Sequence, residues 1–165
     1  SILSRVDEIA SQLRQDYKNE KVLFVGVLNG AFMFASDLMK SINFDLEISF
    51  VKVASYEGTA STGNVKDLIG LNNSLEGKHV VIIEDIVDTG KTISVIMDLL
   101  MYRGAASVEV VTLLDKPAGR VVDLHPKYIG TTIPKEFVVG YGLDYEEKYR
   151  NLPYVGVLKP EIYIK

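Results

Sequence analysis

The residues best suited to chemistry lie in one short stretch, VVIIEDIVDTGKT, at positions 80–92. Four aliphatic residues lead directly into three carboxylates, Glu84, Asp85 and Asp88. Carboxylate oxygens accept hydrogen bonds from vicinal sugar hydroxyls and are the ligands that hydrated Mg²⁺ prefers. The alternative is that Glu84 and Asp85 are solvated acids at a strand end and that Asp88 caps a helix. The whole string favours a sugar site with a metal ion.

The second half of this stretch, residues 88–92, has the composition of a phosphate cradle. A helix that begins here would present free backbone N–H groups and its positive end to an anion, and Gly90 would let the backbone approach closely. The stretch is not a Walker A loop, because Asp85 stands where that motif needs a glycine. A sugar phosphate therefore satisfies both halves of the stretch. The candidate phosphate ligands are Asp88, Thr89, Gly90, Lys91 and Thr92.

The elements that must position these residues alternate between strands and helices. Apolar residues recur at helical spacing over residues 2–18, and Gly104 is expected to end the last long helix. The alternation predicts one α/β domain over residues 1–165, with a mainly parallel twisted sheet, right-handed crossovers and flanking helices. Ligands bind such sheets outside the carboxyl ends of the strands, which is where residues 84–92 would lie. The predicted helices are 2–18, 31–42 and 91–105, and the predicted strands are 21–30, 45–56, 78–85, 107–116, 136–145 and 154–158.

Two further segments carry specific expectations. In the strand at 45–56, Leu46, Ile48 and Phe50 alternate with polar residues, which predicts a strand with one exposed face. Residues 57–64, EGTASTGN, are small, polar and glycine-bearing, which predicts a mobile loop.

Composition excludes several classes of function. The formal net charge of -4 and the sequence pI of about 5.2 argue against a surface for nucleic acid or anionic membrane. The chain has no cysteine, which excludes disulfides, cysteine nucleophiles and thiolate metal sites and favours a cytoplasmic protein. No apolar run approaches the roughly 20 residues of a membrane span.

The stretch at 80–92 resembles the 5-phosphoribosyl 1-pyrophosphate binding motif of the type I phosphoribosyltransferases. Its form EDIVDTGKT resembles the 6-oxopurine branch of that family. Other segments also resemble family segments and occur in family order, so the resemblance covers most of residues 21–158. They are VGVLNGAFMFASDL, SYEGTASTGNVK, LLDKP and EFVVGYGLDYEEKYRNLPYVGVL.

The resemblance implies an activity in purine salvage: Mg²⁺-dependent transfer of the 5-phosphoribosyl group to hypoxanthine and guanine, giving IMP or GMP and pyrophosphate. It implies that Glu84 and Asp85 bind the ribose hydroxyls and the metal ion, and that Asp144 helps to bind a second metal ion or the base. Asp88 would be the general base that takes a proton from the purine, and residues 88–92 would surround the 5-phosphate.

The resemblance also assigns the purine and pyrophosphate sites. Lys116 would donate to the 6-oxo group, which favours hypoxanthine or guanine over adenine. Asn29, Gly30 and Arg150 would bind pyrophosphate, with a cis peptide expected between Leu28 and Asn29. Asn29 is a departure from the pattern, because many family members have a basic residue there. The implied purine-binding residues are Ile86, Lys116, Phe137, Val138 and Asp144.

The remaining implications concern movement and assembly. A flexible loop at about residues 56–66, together with Ser55 and Tyr56, would close over the site, and a small hood would form from terminal segments and this loop. The family suggests a homodimer or homotetramer.

Two alternatives stay open: a regulator that senses the ribosyl donor and binds nucleic acid, and an enzyme for adenine or a pyrimidine. The acidic balance argues against the first, and LLDKP with EFVVGY argues against the second.

Overall fold

The computed structural model describes residues 1–53, 68–71 and 74–164. Six strands form one sheet in the order β3-β2-β1-β4-β5-β6, and all neighbours are parallel except the edge pair β2 and β3. The sheet strands are β1 (Val22–Val27), β2 (Glu47–Val53), β3 (Leu68–Ile69), β4 (His79–Val87), β5 (Ser107–Asp115) and β6 (Tyr128–Thr132). The helices are α1 (Ile2–Tyr17), α2 (Phe32–Lys40), α3 (Lys91–Tyr102) and α4 (Pro160–Tyr163), with a 3₁₀ turn at Pro117–Gly119.

The sheet has a hydrophobic core on each face. One core joins α1 and α2 to the sheet, and the other joins α3 to it. All six residues of β1 are buried, as are Val80 to Ile83 in β4, because a central parallel strand is covered on both faces. These two strands hold the following turns rigidly at the carboxyl edge of the sheet.

Helix α1 confirms the prediction from helical spacing. It begins at Ile2, after a capping box formed by Ser1 and Ser4, and ends at Tyr17. Helix α3 ends at Tyr102, and Gly104 follows with φ of +98°, which confirms Gly104 as the helix stop. Helix α2 is shorter than the predicted 31–42, since it covers only Phe32–Lys40. Its buried side chains are Phe34, Ala35 and Leu38.

The strand before the acidic cluster is longer than predicted. It was expected to end at residue 85, but β4 continues to Val87 because Ile86 and Val87 pair with Leu114 and Asp115 of β5. Glu84 and Asp85 therefore lie within a strand and not in the turn after it.

Two other strands correct the sequence interpretation. β6 was not predicted, because YIGTT is a short edge strand in which burial alternates. In β2 the alternating residues Ile48 and Phe50 lie on the more exposed face, whereas Val51 is fully buried. The Phe50 ring lies close to Gly26 on the neighbouring strand β1, where a side chain would collide with it.

A second, two-stranded antiparallel sheet stands apart from the main one. It pairs β7 (Val138–Val139) with β8 (Gly156–Val157), which confirms that the two late segments contain short strands. We call residues 136–164, which contain this sheet and α4, the hood. Within the described ranges, no helix combines the length and the apolar content that crossing a membrane requires.

Candidate active site

Three turns meet at the carboxyl edge of the sheet, because β1, β4 and β5 are parallel neighbours. The turn after β1 carries Asn29 and Gly30, the turn after β4 carries residues 88–92, and the turn after β5 carries Lys116. Residues far apart in the sequence are thereby brought to one edge, as expected for ligand sites in open α/β sheets.

A cavity of about 180 Å³ lies between this edge and the hood. Its lining contains all five residues predicted to bind a purine, together with the predicted general base Asp88. Leu143 is an addition that the sequence did not single out, since it differs from other apolar core residues only by its position next to Asp144. The lining residues are Ile86, Asp88, Lys116, Phe137, Val138, Leu143 and Asp144.

Lys116 and Asp88 form an ion pair within this cavity, with 3.0 Å between Lys116 Nζ and Asp88 Oδ2. The lysine side chain is only 13% exposed, whereas the aspartate side chain is 47% exposed. Lys116 Nζ also donates to the carbonyl oxygen of Glu136 at 3.3 Å. The ammonium group thus contacts both the acid and the first residue of the hood, and its residue lines the cavity.

Residues 88–92 form a tight turn into α3. Gly90 has φ of +82°, a left-handed conformation that favours glycine, and it is the N-cap of the helix. The turn is closed by hydrogen bonds from Lys91 N to Thr89 Oγ1 at 3.3 Å and from Ser94 N to the Gly90 carbonyl at 2.9 Å. The first turn of α3 contains no acidic residue. Its N–H groups and positive dipole end therefore favour an anion such as a phosphate.

Arg120 fixes the start of this turn through backbone carbonyl groups, although no feature of the sequence singled it out. Its guanidinium group donates to the carbonyl oxygen of Asp88 at 3.0 Å and of Val87 at 3.5 Å, and also to that of Leu124. It forms an ion pair with Asp115, and the two side chains are only 11% and 9% exposed. A lone arginine in a loop gives no signal in the sequence, because its role depends on contacts with the preceding turn.

The two acids of β4 lie in an environment that disfavours their charge. Burial raises the pKa of Glu84 well above its usual range, and the charge of Asp85 raises it further. Burial also raises the pKa of Asp85 to about 6, although a hydrogen bond of 2.7 Å from the Ile86 N–H group and the charge of Arg150 partly offset this shift. A bound cation would relieve both charges.

The expected pyrophosphate turn packs against Asp85. The peptide bond between Leu28 and Asn29 is cis, as the resemblance predicted. Gly30 lies so close to Asp85 that a side chain at this position would overlap the carboxylate, and it also lies against Gly142 of the hood. Only a residue without a Cβ atom fits between these neighbours.

Arg150 reaches the same region from the hood. Its Nη1 donates to the Gly142 carbonyl at 2.7 Å, and its Nη2 lies 3.5 Å from Asp144 Oδ1 and 3.3 Å from Glu147 Oε2. Because Gly142 contacts Gly30, the Arg150 guanidinium group lies near the turn after β1. Asn29, Gly30 and Arg150 are thus brought into one neighbourhood.

The three predicted metal ligands, Glu84, Asp85 and Asp144, do not form a closed metal site. In the part of the chain that the structure describes, no group of three His, Cys, Asp or Glu side chains is arranged to hold a metal ion. Their oxygen chemistry nevertheless suits Mg²⁺, which commonly binds one or two carboxylates together with water and substrate oxygens. Ser55, Tyr56 and the predicted loop at 56–66 lie outside the described residues.

The turn at residues 88–92, which we call the phosphate turn, lies beside a small cavity with a lysine and an aspartate, as the resemblance to the phosphoribosyltransferases implies. A family model described as the phosphoribosyl transferase domain matches residues 1–146, and the chain belongs to this family. The chain is 49% identical over 165 residues to the hypoxanthine-guanine phosphoribosyltransferase of Lactococcus lactis, covering 99% of this chain and 90% of that protein. It is 54% identical over 157 residues to the enzyme of the same name from Staphylococcus aureus, covering 94% and 88%. These relatives place it in the hypoxanthine phosphoribosyltransferase branch.

The solved structures agree with this assignment. A crystal structure of a hypoxanthine phosphoribosyltransferase from Staphylococcus aureus superposes with a TM-score of 0.91 at 51% identity, covering 99% of this chain and 90% of that one.

The chain is also 53% identical over 160 residues to the bifunctional protein TilS/HprT of Listeria monocytogenes. That match covers 96% of this chain but only 25% of the relative, so the chain spans about a quarter of the length of these bifunctional relatives.

Proposed function

We propose that this chain transfers the 5-phosphoribosyl group from 5-phosphoribosyl 1-pyrophosphate to a free 6-oxopurine, hypoxanthine or guanine, giving IMP or GMP and pyrophosphate. The observation that carries the proposal is the cavity in which Asp88 and Lys116 meet Phe137 beside the phosphate turn. A base in this cavity lies next to a phosphate at the start of α3, as a nucleotide requires. The names of the relatives support the same substrates.

The chemistry of the cavity supports a 6-oxopurine. The Lys116 ammonium group has hydrogen atoms to donate and no capacity to accept, so it pairs with an oxo group and not with an amino group. Phe137 offers a ring face for stacking, while Ile86 and Val138 provide apolar contacts. A 6-amino group would leave the buried end of Lys116 poorly paired, which disfavours adenine.

In the proposed reaction, a bond forms between C1 of the ribose and a ring nitrogen of the purine, and the bond from C1 to the pyrophosphate oxygen breaks. The pyrophosphate leaves with the electron pair of that bond, and Asp88 takes the proton from the purine nitrogen. Glu84 and Asp85 bind the ribose hydroxyls and offset positive charge on the ring. Asn29, Gly30 and Arg150 bind the leaving pyrophosphate, and residues 88–92 bind the 5-phosphate.

Mg²⁺ is the proposed cofactor, held by Glu84, Asp85 and Asp144 together with oxygens of the ribosyl donor. The raised pKa values of Glu84 and Asp85 support this assignment, because each acid gains from a neighbouring cation. The ion would supply positive charge that stabilises the leaving pyrophosphate.

The loop at 56–66 with Ser55 and Tyr56 is proposed to shield the site from water. A cytoplasmic homodimer or homotetramer is proposed as the working form.

The test is a kinetic panel. The chain is incubated with the ribosyl donor, Mg²⁺ and, in turn, hypoxanthine, guanine, xanthine, adenine and uracil, and nucleotide formation is measured. We expect nucleotide from hypoxanthine and guanine and essentially none from adenine or uracil. Tight donor binding without any nucleotide would favour the regulator that senses the donor, and nucleotide from adenine alone would overturn the role of Lys116.

A further inference from the structure

Phe137, which lines the purine cavity, is part of a cluster of three aromatic rings. Its ring stacks on that of Tyr163 in α4, with centroids 5.0 Å apart and 26° between the planes. The ring of Tyr145 meets Phe137 edge-on, at 5.8 Å and 82°. Both are arrangements that aromatic pairs favour. We call Phe137, Tyr145 and Tyr163 the aromatic cluster.

A backbone hydrogen bond and a side-chain hydrogen bond support the path that brings Tyr163 to this position. The Leu158 N–H group donates to the Phe137 carbonyl at 2.8 Å, next to the pairing of β7 with β8. The chain then makes the single turn of α4, which begins at Pro160. Tyr145 Oη donates to the Ile162 carbonyl at 3.4 Å. Residues 158–163 are thus attached to the backbone of Phe137 at Leu158, and Tyr163 at the other end of this segment stacks on the Phe137 ring.

Of the stacked pair Phe137 and Tyr163, one ring belongs to the cavity lining and the other does not. Phe137 remains 37% exposed and contributes to the cavity lining, whereas Tyr163 does not line the cavity. Tyr163 therefore stacks on the Phe137 ring without itself belonging to the cavity lining. An unsupported phenylalanine at the surface retains side-chain freedom, which it must lose when a ligand stacks on it. Support from Tyr163 removes part of that cost before the ligand binds.

We propose that Tyr163 is a positioning residue for the purine: it holds Phe137 in the orientation on which the base stacks. The C-terminal turn thereby sets the affinity for the base, although it does not contact it. This inference rests on the proposed function and adds to it a residue outside the cavity, so its test needs an effect on the purine that the ribosyl donor does not share.

The test compares Tyr163→Ala and Tyr163→Phe with the wild-type chain. Tyr163→Ala is expected to raise KM for hypoxanthine about three- to tenfold, since Phe137 loses its stacked aromatic partner. KM for the ribosyl donor should stay within twofold, because the phosphate turn and Arg150 are unchanged. Tyr163→Phe keeps the ring and should restore the wild-type KM for hypoxanthine. The matched control is Tyr102→Ala, since Tyr102 is 90% exposed at the end of α3.

Calorimetric titration with IMP gives a readout that does not depend on turnover. The dissociation constant of IMP should rise about three- to tenfold in Tyr163→Ala and stay unchanged in Tyr163→Phe and Tyr102→Ala. If Tyr163→Ala does not fold, Tyr163→Leu carries the same test, because it keeps apolar volume without an aromatic ring.

The outcomes separate this inference from the proposed function. A wild-type chain that binds the donor but forms no nucleotide contradicts the proposed function. An active wild-type chain with unchanged KM for hypoxanthine in Tyr163→Ala overturns the role of Tyr163 and leaves the function intact. Equal increases in KM for hypoxanthine and for the donor also overturn it, since they indicate general loosening of the hood.

Discussion

Lys116 Nζ lies 3.0 Å from Asp88 Oδ2, so the residue proposed to recognise the purine is paired with the residue proposed to deprotonate it. The pair explains how a largely buried ammonium group is tolerated in the cavity before a ligand arrives. In the proposed reaction, a 6-oxopurine would compete for Lys116, because its oxo group would accept a hydrogen bond from the same ammonium. A Lys116 side chain engaged by the oxo group would leave Asp88 available to accept the purine proton, which would link purine binding to activation of the base.

Asp88→Asn should lower kcat about 10²- to 10⁴-fold, because the amide has the same shape but no capacity to take the proton. KM for the ribosyl donor should change only a few-fold, since the N–H groups proposed to bind the phosphate belong to the backbone. Steady-state rates at saturating hypoxanthine measure the effect. Asp123→Asn is the control, because the Asp123 side chain is 96% exposed. Wild-type kcat in Asp88→Asn would remove Asp88 from the mechanism.

Lys116→Met keeps most of the side-chain length and removes the charge. We expect KM for hypoxanthine to rise about 10- to 100-fold, the range for loss of a hydrogen bond to a charged group. KM for the ribosyl donor should be unaffected. Lys18→Met, at the exposed end of α1, is the control. An equal loss for both substrates would mean that Lys116 supports the site as a whole and does not select the base.

Gly30→Ala should impair donor binding, because the new methyl group would overlap the Asp85 carboxylate. The expected result is a KM for the donor at least tenfold higher and a lower melting temperature. Combining Gly30→Ala with Asp85→Ala removes the collision, so the double variant should unfold at a higher temperature than Gly30→Ala alone. Gly156→Ala is the matched control, since its methyl group would make ordinary contact with the Tyr154 ring at 3.7 Å. Additive effects of the two substitutions on the melting temperature would contradict this packing.

The pKa of Asp85 predicts how stability depends on pH. Burial raises the pKa of Asp85 to about 6 in the folded protein, whereas the pKa of an aspartate in an unfolded chain is about 4. The folded state therefore binds more protons between these values, and the free energy of unfolding should fall by about 3 kcal/mol as the pH rises through this interval. Asp85→Asn should then melt at a higher temperature than the wild type at pH 8 and at the same temperature at pH 4. A constant difference across this range would contradict the shift.

The sequence was sufficient for the parts of the site that depend on local pattern. Buried strands and amphipathic helices follow from hydrophobic periodicity, and parallel strands bring their carboxyl ends to one edge, so Asp88 and Lys116 could be expected to meet there. The length of β4 could not be read in the same way. Polar residues normally end a buried strand, but the pairing of Val87 with Asp115 continues it past the acids.

Contacts between distant segments were beyond the sequence. Arg120 follows the 3₁₀ turn and Tyr163 lies in the single turn of α4, and neither has periodicity or a motif around it. Their roles arise from partners elsewhere in the chain, the carbonyl of Asp88 and the ring of Phe137. The exposure of Ile48 could not be predicted either. Alternation shows which residues share a face of a strand, but it does not show which of the two faces the rest of the protein covers.

The buried pair of Arg120 and Asp115 offers a test that separates stability from positioning. Arg120→Met leaves the Asp115 carboxylate buried without a partner, which should lower the free energy of unfolding by about 3–5 kcal/mol. Adding Asp115→Leu removes that charge, and replacing both members of a buried pair by apolar residues commonly restores stability. Denaturant unfolding of the two variants measures this recovery.

The same double variant should remain defective in donor binding. The carbonyl groups of Val87 and Asp88 still lack the guanidinium donor that fixes the start of the phosphate turn. We therefore expect most of the lost stability to return, whereas the KM for the ribosyl donor should stay about tenfold higher, the effect of losing roughly 1.4 kcal/mol of positioning. Arg5→Met is the control, because Arg5 forms an exposed pair with Glu8. A stable double variant with the wild-type KM for the donor would show that Arg120 serves stability alone.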